Sequence, residues 1–186
     1  GARCCGPGDG GSCAGRSGGA SWQPLTDNKP SLSSSSLALH PTETNGQKLI
    51  AGVGATSNGR IGSARGGQLT GIMYSNTGGA SWTELAGSGG TLADKNIVSV
   101  AARGNTFLAA ANNAVDNGGG LYYSANGGSS FSLVQGLATG SVSALAGDTS
   151  GGNANGNGTR FSAALRGATT PTANGVYLGE PPHPAT

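Results

Sequence analysis

The feature that most constrains this chain is a segment that occurs twice without a gap. Gly71–Leu85, GIMYSNTGGASWTEL, lies position for position on Gly120–Val134, GLYYSANGGSSFSLV. Both carry a Gly, two apolar residues, Tyr-Ser, a Gly-Gly pair, a Ser, an aromatic and a closing aliphatic. A shorter copy, GRSGGASWQPL, spans Gly15–Leu25. Trp82 follows Trp22 by 60 residues and Phe131 follows Trp82 by 49. Self-similarity at such a period marks an array of units, each of which buries its apolar surface against its neighbours.

Between one copy and the next, every interval holds two more runs that read as strands. Ser36–Leu39 precedes Lys48–Val53, Ile97–Val100 precedes Thr106–Ala110, and Val142–Leu145 precedes Arg160–Leu165. All are short, apolar and bounded by turn residues. Asn45-Gly46 and Gly104-Asn105 suit tight hairpin turns, and a longer loop from Asp148 to Thr159 closes the third pair. Each unit therefore reads strand, hairpin, strand, loop, strand, repeat hairpin, strand. The small residues Ala38, Ala51, Ala109 and Ala163 suit closely packed inner strands. The expected fold is all-β: a propeller of four-stranded antiparallel blades, about three of them, with a further unit opening at Gly175 and the ring incomplete.

Composition agrees with strands and turns. The chain holds 37 Gly among 186 residues, and 10% of residues are charged; glycine is poor in helices and frees the backbone for positive φ. The competing reading, a flexible Gly/Ser chain, is opposed by the recurring apolar clusters and the small net charge of +2. Three regions are expected: a Gly/Cys-rich segment over 1–14, possessing the mobility that glycine confers, the repeats over 15–180, and a Pro-rich tail over 181–186. The chain begins at Gly1 rather than Met, as a processed or partial chain does.

The repeated segment resembles the Asp box of sialidases and related propellers, S-x-D-x-G-x-[ST]-[WF]. Ser75, Gly79, Ser81 and Trp82 match in one copy, with Thr77 at the Asp place; Ser124, Gly128, Ser130 and Phe131 match in the next, with Asn126 there. In the first copy Gly15 and Ser17 take the Ser and Asp places, and Gly19 and Trp22 the glycine and aromatic. The resemblance implies a turn-locking role for Thr77 and Asn126, which accept backbone N–H groups locally, and an aromatic packed between blades. It implies no catalytic role for the box. Proteins with this repeat include sialidases, xyloglucan-degrading glycosidases, sortilin-like receptors and a photosystem assembly factor, so the fold alone does not select a function.

No catalytic set is legible. A sialidase needs an arginine triad, a tyrosine nucleophile and acidic partners. Arg60, Arg65, Arg103, Arg160 and Arg166 and Tyr74, Tyr122, Tyr123 and Tyr177 supply the types, yet none stands in a family motif. A glycosidase needs two carboxylates across one cleft; Asp94, Asp116 and Asp148 are the candidates, each in a loop context that also suits turn formation. His40 before Pro41 reads as turn chemistry, and Asn157-Gly158-Thr159 is a formal glycosylation sequon.

Cys4, Cys5 and Cys13 allow a bridge from Cys13 to either partner but lack zinc-site spacing. No metal site and no cofactor are expected. Scattered charge argues against a nucleic-acid partner, and no apolar stretch nears the roughly 20 residues that span a bilayer. The function expected from sequence is a non-catalytic, extracytoplasmic interaction or scaffold module, binding a protein or glycan through loops at 58–68, 112–119 and 151–158. A second copy or a partner chain would complete the ring. The alternatives are a fragment of a secreted carbohydrate-active hydrolase, xyloglucanase-like or sialidase-like, and a photosystem-assembly-factor-like propeller.

Overall fold

A computed structural model describes residues 2–4, 12–16, 20–29, 33–40, 47–54, 68–112, 119–137, 140–147, 161–166 and 173–179. They form four antiparallel sheets and, among the described residues, no α-helix. The first sheet holds β1 (Ala2–Cys4), β2 (Ser12–Arg16) and β3 (Ser21–Pro24); β2 crosses position 14, where composition alone marks a boundary. The second holds β4 (Ser34–Leu39), β5 (Leu49–Val53), β6 (Ile72–Ser75) and β7 (Thr83–Leu85). The third holds β8 (Asn96–Arg103), β9 (Thr106–Asn112), β10 (Gly120–Ser124) and β11 (Ser132–Leu133). The last holds β12 (Ser141–Gly147), β13 (Phe161–Arg166) and β14 (Gly175–Gly179).

Within each sheet the strands lie side by side in chain order. Gly175–Gly179, which opens a new unit in the sequence pattern, pairs with β13 as the third strand of the last sheet. The register makes the repeats comparable: Ala51 faces Met73, Ala109 faces Tyr122, and Ala163 faces Tyr177.

Side-chain alternation explains why the central strands are apolar throughout. On β5, Leu49, Ala51 and Val53 face backward onto Met73 and Trp82, while Ile50 faces forward onto the third sheet. On β9, Phe107, Ala109 and Ala111 face the second sheet, and Leu108 and Ala110 face the fourth. Because both faces of these sheets are covered, the usual polar half of the two-residue period disappears. Each fully buried Ile or Leu contributes about 1.5–3 kcal/mol. The alanines let the sheets approach; Ala51 and Ala109 are fully buried on the second strand of their sheets, whereas Ala38 lies on the first.

The first strands of successive sheets lie against one another, β4 against β8 and β8 against β12. Each is bulged at an equivalent place, between Ser34 and Ser36, Ile97 and Ser99, and Val142 and Ala144. A bulge bends the strand and frees backbone groups, and Ser35 Oγ donates to one of them, the carbonyl of Ile97. Ser99 Oγ accepts the N–H of Leu145 on the edge strand β12 at 3.1 Å. His40, expected to start a turn with residues that lie outside the described ones, is buried, and its ring Nε2 meets the carbonyl of Gly104 at 3.0 Å in the next sheet. A carbonyl only accepts, so Nε2 carries the hydrogen. A polar residue after a strand suggests a turn in sequence; the neighbouring sheet's hairpin turns it into an inter-sheet tie.

Gly104 has φ 54 and opens the Gly104-Asn105 turn, the positive φ that a two-residue hairpin with glycine first requires. Asn45-Gly46 and the Asp148–Thr159 loop lie outside the described residues.

Candidate functional site

Antiparallel order sorts the loops onto two ends. The turns from first to second and from third to fourth strand share one end; the joins from second to third strand and the connections between sheets share the other. On the first end, Gly78 donates to the carbonyl of Gln47 and Gly127 to that of Asn105, both at 2.8 Å, so each repeat hairpin leans on its sheet's first turn. On the second, Asp94 N–H donates to the carbonyl of Leu69 at 2.9 Å.

The two described repeat hairpins have the same internal bonding. Buried Ser75 closes β6, and its Oγ accepts the N–H of Thr77 at 3.2 Å and of Gly79 at 2.9 Å. Thr77 Oγ1 then accepts the N–H of Ser81 at 2.8 Å. In the other copy Ser124 Oγ accepts the N–H of Asn126 at 3.3 Å and of Gly128 at 2.9 Å, and donates to Asn126 Oδ1 at 2.8 Å. Asn126 Oδ1 also accepts the N–H of Ser130 at 3.0 Å, and its Nδ2 donates to Ser130 Oγ at 2.9 Å. These side chains are occupied with their own turn.

Gly79 and Gly128, at φ 91 and φ 87, need glycine for a second reason besides conformation. A Cβ at Gly79 would lie 2.5 Å from Leu25 Cδ1, and one at Gly128 would lie 2.5 Å from Leu85 Cδ1. The aliphatic that closes one repeat thus enters the hairpin of the next. That closing residue is visible in sequence; its destination is not.

Trp82 and Phe131 are each 6% exposed. Trp82 covers Leu49, Ala51, Val53 and Met73, and Lys29 Nζ donates to its carbonyl at 2.9 Å. Phe131 packs among Phe107, Ala109 and Tyr122 of its own sheet and Ile50, Ile72 and Tyr74 of the one before. Trp22 is different: it stands on β3 with 46% of its surface exposed. Gly19 lies outside the described residues.

Two clefts open between sheets. One, of about 320 Å³, sits at the hairpin end and is lined by His40, Lys48, Tyr74, Asn105 and Phe107. The other, of about 310 Å³, lies between the third and fourth sheets and is largely apolar.

No family model matches the chain, and no curated protein does. Solved structures do. An ancestral GH74 enzyme shares 21% identity over 91% of this chain and 20% of its own, at a TM-score of 0.58. The GH74 enzyme of Niastella koreensis shares 18% identity over 92% of this chain and 25% of its own, also at 0.58. Both are β-propellers.

The fold is propeller-like.

The chain spans a fifth to a quarter of those two structures. In the language of propellers each sheet is termed a blade, with the bulged first strands, which lie against one another, on its inner side. Of the four tyrosines, Tyr74 meets Phe107 with ring centroids 5.5 Å apart, Tyr122 has Lys95 Nζ 5.2 Å from its ring centre, and Tyr123 and Tyr177 line the apolar cleft. Arg103 ends β8 and Arg166 ends β13, in different blades. Arg60, Arg65 and Arg160 lie outside the described residues.

Asp94 is exposed, with φ 61, in the connection leading to β8. Asp116, Asp148, Asn157 and most of the three long loops lie outside the described residues. Among the described residues, no three His, Cys, Asp or Glu side chains gather as a metal site, and no helix is long and apolar enough to cross a membrane. Cys4 on β1 faces Ser12 and Cys13 on β2 faces Arg3 in the backbone register.

Proposed function

We propose that the chain is a section of a propeller-type carbohydrate-active hydrolase, secreted, whose blades help frame a glycan-binding face. The observation that carries this reading is the extent of the likeness: it covers 91% of the chain, against a GH74 enzyme, at a TM-score of 0.58. Fold likeness leaves chemistry open, so the site must be argued from the molecule. The end of the blades that carries the inter-sheet connections holds Asp27 and Asp94, both exposed, and Asp94 is the non-glycine residue with a positive φ among the described residues. Aspartate tolerates that conformation in turns, and loops joining sheets are where binding residues concentrate.

The repeat hairpins are read as degenerate Asp boxes on the opposite end, with structural duties. Their side chains bond within the turn, which fits that assignment. A free-standing scaffold, the first expectation from sequence, has no comparable support, and neither has the assembly-factor alternative.

The test is reducing-sugar release from xyloglucan and other β-glucans by the full-length protein containing this sequence. Hydrolysis by the full-length protein, and none by the 186-residue chain alone, is the expected result. A full-length protein that neither cleaves nor binds any polysaccharide overturns the reading.

A further inference from the structure

Asn126 and Gly127 are neighbours in the repeat hairpin of the third blade, and Asn126 is exposed. An Asn-Gly pair carries its own reaction. The glycine nitrogen gives up its proton and attacks the side-chain carbonyl carbon of the asparagine; the amide nitrogen leaves as ammonia, and a cyclic imide remains. Glycine favours the attack because it has no Cβ to crowd it. Water then opens the imide. Cleavage at the former side-chain carbonyl gives aspartate, and cleavage at the main-chain carbonyl gives isoaspartate, whose backbone runs through Cβ and Cγ. Water is consumed, ammonia is released, and nothing is oxidised or reduced.

The closed hairpin opposes ring closure at both reacting groups. Gly127 N–H donates to the carbonyl of Asn105 at 2.8 Å, so the nitrogen that must lose its proton holds it in a hydrogen bond. The carboxamide is tied to other residues: Oδ1 takes Ser124 Oγ at 2.8 Å and Ser130 N–H at 3.0 Å, and Nδ2, the leaving nitrogen, donates to Ser130 Oγ at 2.9 Å. Turning Asn126 Cγ onto Gly127 breaks these bonds. The sister hairpin has the same frame without the reaction, since Thr77 precedes Gly78 and offers no side-chain carbonyl.

The two products fit the frame differently. Aspartate keeps an acceptor oxygen where Oδ1 stands. Isoaspartate adds a carbon to the backbone between Ser124 and Gly128, although Ser124 Oγ must reach the N–H groups of both 126 and 128. Gly128 has no slack to absorb the change, because a Cβ there would fall 2.5 Å from Leu85 Cδ1.

We propose that Asn126-Gly127 is a self-modification site held in check by the fold: the closed hairpin suppresses deamidation, local opening permits it, and the product is either an aspartyl hairpin that recloses or an isoaspartyl hairpin that does not. Deamidation here is an irreversible record of hairpin opening. This inference stands whether or not the parent protein is a hydrolase.

The test incubates the 186-residue protein in mildly alkaline buffer, folded or in guanidinium chloride, and then cleaves it with chymotrypsin. The chain holds seven Asn-Gly pairs, so the reaction is followed by mass on one peptide, SANGGSSF, residues 124–131. Electron-transfer fragmentation separates aspartate from isoaspartate, and SNTGGASW, residues 75–82, is the slow reference. Asn126 should react on the order of tenfold or more slowly in the folded protein than in denaturant, because it waits for local opening. Across sub-denaturing guanidinium and the variant Ser130→Ala, which removes the partner of Nδ2, deamidation and Gly127 N–H exchange should rise together. The separated aspartyl protein should keep the parent's urea midpoint, and the isoaspartyl protein should unfold at lower urea. Equal rates in folded and unfolded chains, deamidation that varies independently of Gly127 exchange, or an isoaspartyl protein with the parent's midpoint would each overturn the proposal.

Discussion

Leu85 Cδ1 lies where a side chain at Gly128 would begin: a Cβ built on Gly128 falls 2.5 Å from it and 3.3 Å from Phe107 Cδ2. The glycine is therefore a socket for the preceding blade as well as a turn residue.

Its neighbour separates the two roles. Gly127 has φ 68, and a Cβ placed on it would meet nothing within 4 Å, so Gly127→Ala carries only the left-handed penalty of about 1–2 kcal/mol. Gly128→Ala carries that penalty and displaces packed Leu85, adding about 1–3 kcal/mol. Urea midpoints of the two variants should differ in that order; equal midpoints would show that the socket is slack.

At Asn126 the chemistry of the turn can be tested without touching the core. Oδ1 receives Ser124 Oγ and Ser130 N–H, and the amide donates to a hydroxyl that can itself turn to donate. Asn126→Asp should fall within about 0.5 kcal/mol of the parent. Asn126→Leu, which strands those donors, should cost about 1 kcal/mol. Thermal denaturation of the pair decides; a large loss on Asn126→Asp would argue against the box assignment.

His40 bridges two blades through the carbonyl of Gly104. Gly104 is exposed, so water can replace the lost donor, and His40→Ala should lower stability by about 0.5–1.5 kcal/mol for the bond, part of which His40→Gln should restore by keeping a donor. Amide exchange near Gly104 is the sensitive readout, faster in the Ala variant. Unchanged exchange would reduce the tie to a packing contact.

The repeat hairpins were legible because their chemistry is local: Ser75 and Thr77 act on N–H groups within six residues of Ser75, and the strands of the two central blades follow from short apolar runs. Relationships across blades were not. Nothing near His40 in sequence announces Gly104, and Leu25 carries no sign of Gly79. Nor does the Gly/Cys-rich opening resemble a strand, although β1 and β2 pair there. For the candidate site, residue types were available but convergence was not; Tyr74 and Tyr122, offered by the sequence as chemical types, lie in the apolar cluster between the second and third sheets.

The leucine-into-glycine relation also has a direction. The first and second blades each lend a leucine forward, to Gly79 and Gly128, so the array is polar, like a filament whose two ends differ. On the last described strand, β14, Val176 and Leu178 are 77% and 65% exposed, and Trp22 on β3 is exposed as well. Units joined in this way stack head to tail and leave no twofold axis between them, so the order of units along the polypeptide has a single orientation.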